Sequence, residues 1–197
     1  MAINLDRQKI LDAAREQFAK TGLRKTSLTD IAKPLGVGKT AVYHHFPGGK
    51  RELMDEVMRH EEEVLLSHLR KAIARESDPR RQLRALIVSK LNHGRRLRKL
   101  FAVSRDVGEE IASIYATRES SFNNEELAMI EEILKRGISK KVFKPADSLH
   151  LAAVLQMIAR RVEMVFVFEM TPRTMEQQID DLLEILFYGI ATAPKKK

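Results

Sequence analysis

Ser27-Leu28-Thr29-Asp30-Ile31-Ala32-Lys33-Pro34-Leu35-Gly36-Val37-Gly38-Lys39-Thr40-Ala41-Val42-Tyr43-His44-His45-Phe46 is the stretch on which the reading of this chain turns. Counting from Leu28, the apolar residues Ile31, Leu35, Val37 and Val42, the small Ala32 and the glycine Gly36 have the spacing of two short helices joined by a tight turn. Ala32 is small enough for the second helix to approach closely, Gly36 accepts a positive φ, and Val42 locks the second helix onto the first. Ser27 and Asp30 form a capping-box-like start: the hydroxyl takes an orphan N–H and the acid sits at the positive end of the helix dipole. The second helix is expected from about Gly38 to His45, ending at Phe46-Pro47-Gly48-Gly49. Its N-terminal end is then free to enter a major groove, with Lys39 and Thr40 in reach of base edges or phosphates. Tyr43, His44 and the flanking Lys50 suit phosphate contacts.

Outward from this segment, apolar residues recur at helical spacing, with no convincing run of strict alternation, so the fold class expected is all-α. Upstream, Ile10, Ala14 and Phe18 share one face of a helix that stops near Thr21, before Gly22. Downstream, a long helix starts near Lys50 and carries Leu53, Val57, Val64, Leu65 and Leu69. Further starts are expected at Ser77-Asp78-Pro79 and at Asn123-Asn124. Lys144-Pro145-Ala146-Asp147 opens an apolar helix over Leu149–Met170, and Thr171-Pro172 closes it. The last helix has Thr174 and Gln177 as a capping box, then Ile179, Leu182, Leu183, Leu186 and Ile190. The division expected is a helix-turn-helix domain over 1–50 and a helical regulatory domain over 51–197, with a linking helix at about 50–75 and terminal helices at about 147–170 and 173–192.

The chain has 197 residues, 44% hydrophobic and 31% charged, which is enough for a real core. It has no cysteine, which excludes disulfides, thiolate metal sites and cysteine nucleophiles together. A net charge of +8 favours a polyanionic partner, nucleic acid first and an acidic ligand or membrane surface behind it. The N-terminus lacks the apolar core of a signal peptide, and Arg160, Arg161 and Glu163 interrupt the most apolar stretch, so a cytoplasmic protein without a membrane partner is expected. Several resemblances to catalytic motifs fail on inspection. Gly38-Lys39-Thr40 lacks the phosphate loop's first glycine, because Lys33 stands there. His60-Glu61 has Val64 where a zinc-peptidase helix needs its second histidine, so it reads as solvated helix. His44 and His45 are adjacent and do not face one metal ion on a helix. No Gly-x-Ser-x-Gly elbow occurs. No catalytic residue, metal or cofactor is therefore expected. The run Arg80, Arg81, Arg84, Lys90, Arg95, Arg96, Arg98, Lys99 contains no acidic residue and reads as a solvated face of two helices, with attraction to DNA and recognition of an anionic inducer as the sharper alternatives.

The string Thr26-Ser27-Leu28-Thr29-Asp30-Ile31-Ala32, then Leu35-Gly36-Val37-Gly38-Lys39-Thr40-Ala41-Val42-Tyr43-His44-His45-Phe46, with Lys50 and Leu53 beyond, resembles the TetR family of transcriptional regulators. The likeness covers roughly the first third of the chain closely, and the remainder agrees in length and helical character. Carried over by position, it implies a DNA-binding set of Thr26, Ser27, Lys39, Thr40, Tyr43, His44 and Lys50. It also implies a C-terminal domain that dimerises through its last two helices and holds an inducer pocket. Three departures stand out. Pro34 replaces a helix former and predicts a kink costing about 3 kcal/mol in a regular helix. Gly38 replaces a Ser or Thr cap, and the Pro47-Gly48-Gly49 loop is one residue longer than the commonest form.

In the helix Leu149–Met170, Gln156, Arg160 and Glu163 fall at i, i+4 and i+7 and form one polar stripe on an apolar cylinder. They read as an interfacial ion-pair set, and with Val167, Ile179, Leu182, Leu183 and Leu186 they make up the expected dimer interface. Phe101, Tyr115, Met157, Arg161, Met164 and Phe168 are the expected ligand-binding residues, the apolar ones core first and pocket lining second. The function expected is a homodimeric, operator-binding repressor responsive to an apolar or anionic small-molecule inducer, its two recognition helices about 34 Å apart or a multiple of that. A DNA-binding activator or architectural protein without an inducer is the alternative. A small-molecule-binding helical protein whose N-terminal motif no longer reads DNA is a third.

Overall fold

The computed structural model describes residues 5–101, 103, 121–144, 146–169 and 172–188, without the side chains of 121, 161–162, 164–169, 172–173 and 175. Eight α-helices and no strand occur among the described residues: α1 Arg7–Thr21, α2 Leu28–Ala32, α3 Lys39–His45, α4 Gly49–Ala74, α5 Pro79–Leu100, α6 Ser121–Ser139, α7 Ser148–Glu169 and α8 Pro172–Tyr188. The all-α expectation holds.

The helix starts follow their local chemistry. Asp6 caps α1 by accepting from the Lys9 N–H at 2.8 Å. Ser27 and Asp30 complete a reciprocal capping box on α2, the Ser27 hydroxyl accepting from the Asp30 N–H at 3.2 Å and the Asp30 carboxylate from the Ser27 N–H at 2.8 Å. Asp147 accepts from the N–H groups of Leu149 and His150 and so starts α7. The predicted kink at Pro34 takes the form of a 3₁₀ turn, Lys33–Leu35. Proline has no N–H to return to the Asp30 carbonyl, so α2 stops at Ala32 and the chain tightens. Gly36 then closes the turn at φ 67°, ψ 24°, its N–H on the Lys33 carbonyl at 3.1 Å.

Two helix starts differ from expectation. By Ser121 the chain is already helical, so Asn123-Asn124 lie in the first turn of α6; the buried Phe122 anchors that turn, and packing outweighs capping preference. In the last helix Pro172 occupies the first position, which puts Thr174 inside the helix and not at its cap.

The chain divides into two compact units, Met1–Leu66 with His93–Arg118, and Ser67–Asn92 with Glu119–Lys197. In the first, Ile10, Phe18, Ile31, Val42 and Phe46 form a core that also takes in Leu53, Val57 and Phe101, which is why this unit runs past residue 50. Glu61 of α4 is fully buried, with its carboxylate 2.5 Å from Arg15 of α1, 2.6 Å from Arg96 of α5 and 3.8 Å from His93. The solvated helix expected at His60-Glu61 is thus corrected at Glu61: it faces two guanidinium groups that make a buried carboxylate tenable.

In the second unit α6 packs on α7, and Leu91, Ile179 and Leu183 join α5 to α8. The basic run on α5 is only in part the solvated face that its composition suggests: Arg81, Arg96, Arg98 and Lys99 are exposed, whereas Arg80, Arg84 and Lys90 are engaged. Arg84 makes a two-pronged pair with Asp180, Arg80 donates to the Tyr188 hydroxyl at 2.6 Å, and the buried Lys90 sits 2.6 Å from the buried Glu126. Burial pulls the Lys90 ammonium down, but Glu163 and Glu126 outweigh it and hold its pKa above the ordinary value.

Candidate DNA-binding surface

Helix α3 is two turns long, and its two sides are chemically distinct. Val42 and, just past the helix end, Phe46 are fully buried and fix α3 on the core. Lys39, Thr40, Tyr43 and His44 are exposed, Tyr43 by 47%. Val42 carries the anchoring that its spacing suggested. Gly38 supplies the extended residue before α3 without any side-chain cap, so the N-terminal N–H groups of this helix have no side-chain acceptor from that position.

The neighbouring residues of the expected DNA-binding set have engaged side chains. Thr26 is buried, its hydroxyl 2.8 Å from the Gly22 carbonyl and 2.7 Å from the Thr21 hydroxyl, where it secures the end of α1. The Ser27 hydroxyl is occupied by the capping box, and Asp30, accepting from the hydroxyl and the N–H of Ser27, is held below the ordinary aspartate pKa. Lys50 donates to the Arg24 carbonyl at 3.0 Å, and partial burial lowers its pKa. The structure thus presents Lys39, Thr40, Tyr43 and His44 as one outward surface and gives Thr26, Ser27 and Lys50 bonds to the frame behind it.

The loop after α3 is shaped to hold Tyr43. Gly49 has φ 63°, and a Cβ there would lie 3.1 Å from Tyr43 Cε1, so the ring rests against bare backbone. Glu52 accepts the Gly48 N–H at 2.9 Å, which with Arg7 keeps its carboxyl below the ordinary glutamate pKa. Arg7 donates to the His45 carbonyl at 2.7 Å and pairs with Glu52 and Glu56 at 3.0 Å each. Sequence reading missed Arg7. Its one local signal is a cation in the first turn of α1, where the helix dipole disfavours it.

Against this geometry, a family model described as bacterial regulatory proteins, tetR family, matches residues 10–57, the span holding most of α1, all of α2 and α3, and the start of α4. Residues 10–57 thus carry the DNA-binding segment that this family model describes. The chain is a DNA-binding transcriptional regulator. It is 27% identical over 145 residues to the HTH-type transcriptional repressor KstR2 of Mycobacterium tuberculosis, a match spanning 73% of this chain and 72% of that one. Its fold is similar to that of a TetR-family transcriptional regulator from Pectobacterium atrosepticum, with a TM-score of 0.74 at 19% identity over 96% of this chain and 95% of the other. A transcriptional regulator from Cytophaga hutchinsonii superimposes with a TM-score of 0.71 at 24% identity, covering 94% and 98% of the two chains.

Gln156 donates to the Asn123 carbonyl at 2.8 Å and to Glu126 at 2.9 Å, and Glu163 lies 3.7 Å from Lys90, so this stripe has partners within its own unit. Burial raises the Glu163 pKa, with Lys90 only partly offsetting it. Arg160 is half-buried beside Lys90 and Glu163. Ile179 and Leu183 are buried, Leu182 is half-buried and Leu186 is 40% exposed. Phe101 belongs to the core of the first unit, whereas Met157, in the second, is 64% exposed. Tyr115 lies outside the described residues, as do the side chains of Arg161, Met164, Val167 and Phe168. Among the described residues no group of side chains has the makings of a metal site, and no helix is long and apolar enough to cross a membrane.

Proposed function

We propose that this regulator acts as a cytoplasmic homodimer that represses transcription from a DNA operator and responds to a small-molecule inducer. The observation that carries the DNA-binding part is the outward set Lys39, Thr40, Tyr43 and His44 on a helix whose other side is locked by Val42 and Phe46. Lys39 and Thr40, at the N-terminal end of α3, suit base edges and nearby phosphates; Tyr43 and His44, one turn on, suit the flanking backbone. Thr26, Ser27 and Lys50 support that surface from behind, with any phosphate contact left to their backbone or to a rearranged side chain.

The similarity to a named repressor supports repression. Exposed apolar residues on the last two helices, Leu149 and Met157 on α7 and Ile185, Leu186 and Tyr188 on α8, support dimerisation there. Residues 51–197 form the regulatory part of the chain, and the apolar α7 with its Met157, Arg161, Met164 and Phe168 is the first place to look for an apolar or anionic inducer. The inducer acts by favouring one spacing of the two recognition helices over another.

The test is binding of the full chain to the DNA upstream of its own gene at several salt concentrations, beside an unrelated duplex. A regulator prefers the upstream duplex and loses affinity steeply with salt. Equal weak binding to both refutes the proposal.

A further inference from the structure

Helix α3 has seven residues, which is too short to be stable alone, so the angle at which it presents Lys39 and Tyr43 is set by what grips its two ends. Gly38 offers no side chain at the N-terminal end. At the C-terminal end the Arg7 guanidinium meets both the end of α3 and the start of α4. Nη1 donates to the His45 carbonyl at 2.7 Å, the carbon of the guanidinium lies 4.1 Å from the centre of the buried Phe46 ring, and Nη2 reaches Glu52 and Glu56 of α4 at 3.0 Å each. The flat fork suits this combination, because it stacks on a ring by its face while donating along its edges. The positive charge also sits at the negative end of the α3 dipole, and the two carboxylates offset its position at the positive end of α1.

We propose that Arg7 is a positioning residue for DNA recognition: it clamps the C-terminal end of α3 to α4 and so fixes the aim of the recognition surface without touching DNA. The inference rests on α3 being the recognition helix. A lysine cannot replace the arginine, since one ammonium cannot span the His45 carbonyl, the Phe46 face and both carboxylates in a fixed plane.

Charge gives the inference a test whose sign is informative. Glu56 bears one of the two carboxylates that hold Arg7, and removing a negative charge from a DNA-binding unit strengthens attraction to a polyanion if nothing else changes. If the carboxylate works through Arg7, its loss weakens operator binding.

The experiment measures, for the full chain, affinity for the preferred upstream duplex and for an unrelated duplex across salt concentrations, with thermal unfolding alongside, in wild type, Arg7→Ala, Arg7→Lys and Glu56→Gln. Operator affinity is expected to fall about tenfold in Arg7→Ala and measurably in the other two, with the salt slope unchanged and binding to the unrelated duplex moving only with net charge, slightly tighter in Glu56→Gln and slightly weaker in Arg7→Ala. A salt slope shallower by about one in Arg7→Ala makes Arg7 a phosphate contact and overturns the proposal. Unchanged operator preference in folded Arg7→Lys and Glu56→Gln also overturns it, whether or not Arg7→Ala folds. A wild type without operator preference overturns the recognition-helix reading and this proposal with it, which keeps the two failures distinguishable.

Discussion

Replacing Glu61 by glutamine isolates the contribution of one buried charge. The carboxylate is fully buried and bonded at 2.5 Å to Arg15 and 2.6 Å to Arg96. Breaking a fully buried ion pair costs about 3–5 kcal/mol, because the stranded partner has no solvent. Here both stranded guanidinium groups are part-exposed, by 38% and 44%, and can turn to water, while the new amide still offers one carbonyl oxygen. The loss expected is therefore about 2 kcal/mol. For a chain of this length that is a fall in Tm of about 4–8 °C, read by circular dichroism at neutral pH. A double-mutant cycle with Arg15→Gln separates the ionic coupling from packing, with an interaction energy of about 1 kcal/mol expected. A Glu61→Gln protein as stable as wild type, or a strictly additive cycle, refutes the view that this node joins α1 to α4.

Three further outcomes follow from local geometry. Ser27→Ala removes the hydroxyl half of the α2 capping box and costs about 1 kcal/mol in urea unfolding. Gly49→Ala is expected to cost about 1–2 kcal/mol, since φ 63° is poor for alanine and its Cβ meets the Tyr43 ring; operator affinity falls with it as Tyr43 is displaced. Asp30, Glu52 and Asp180 all titrate below their ordinary values of 3.8, 4.5 and 3.8 in the folded chain. Their stabilisation is present above those values and is lost as pH falls through the lower folded ones, so Tm measured against pH drops on the acid side. Lys90 runs in the opposite sense: its raised pKa stabilises the fold below 10.5, and that share is lost as pH rises beyond it.

What could be read in advance was local in sequence. Ser27 and Asp30 are three residues apart, Gly36 and Pro34 act on their own backbone, and Val42 declares its side by its spacing; all behave as local rules require. What escaped was set by partners far along the chain. Glu61 reads as an exposed helix residue until Arg15, 46 positions away, comes into contact with it. Arg7 meets His45 across 38 positions, and Arg84 meets Asp180 across 96. The engaged part of the basic run on α5, Arg84 and Lys90, was hidden for the same reason: spacing shows which residues share a face, but not which carboxylates that face meets. Thr26 and Lys50 carry the family's motif, yet their side chains are spent on carbonyls of neighbouring elements.

The central claim is that the outward side of α3 reads DNA, and the most direct measurement is the ratio of operator to non-specific affinity at fixed salt for wild type, Lys39→Ala and Tyr43→Ala. Lys39→Ala is expected to lose about 1–3 kcal/mol of operator affinity if its partner is a base edge, and Tyr43→Ala to weaken binding to every duplex by a similar factor. Both variants binding the operator as tightly as wild type contradicts the account.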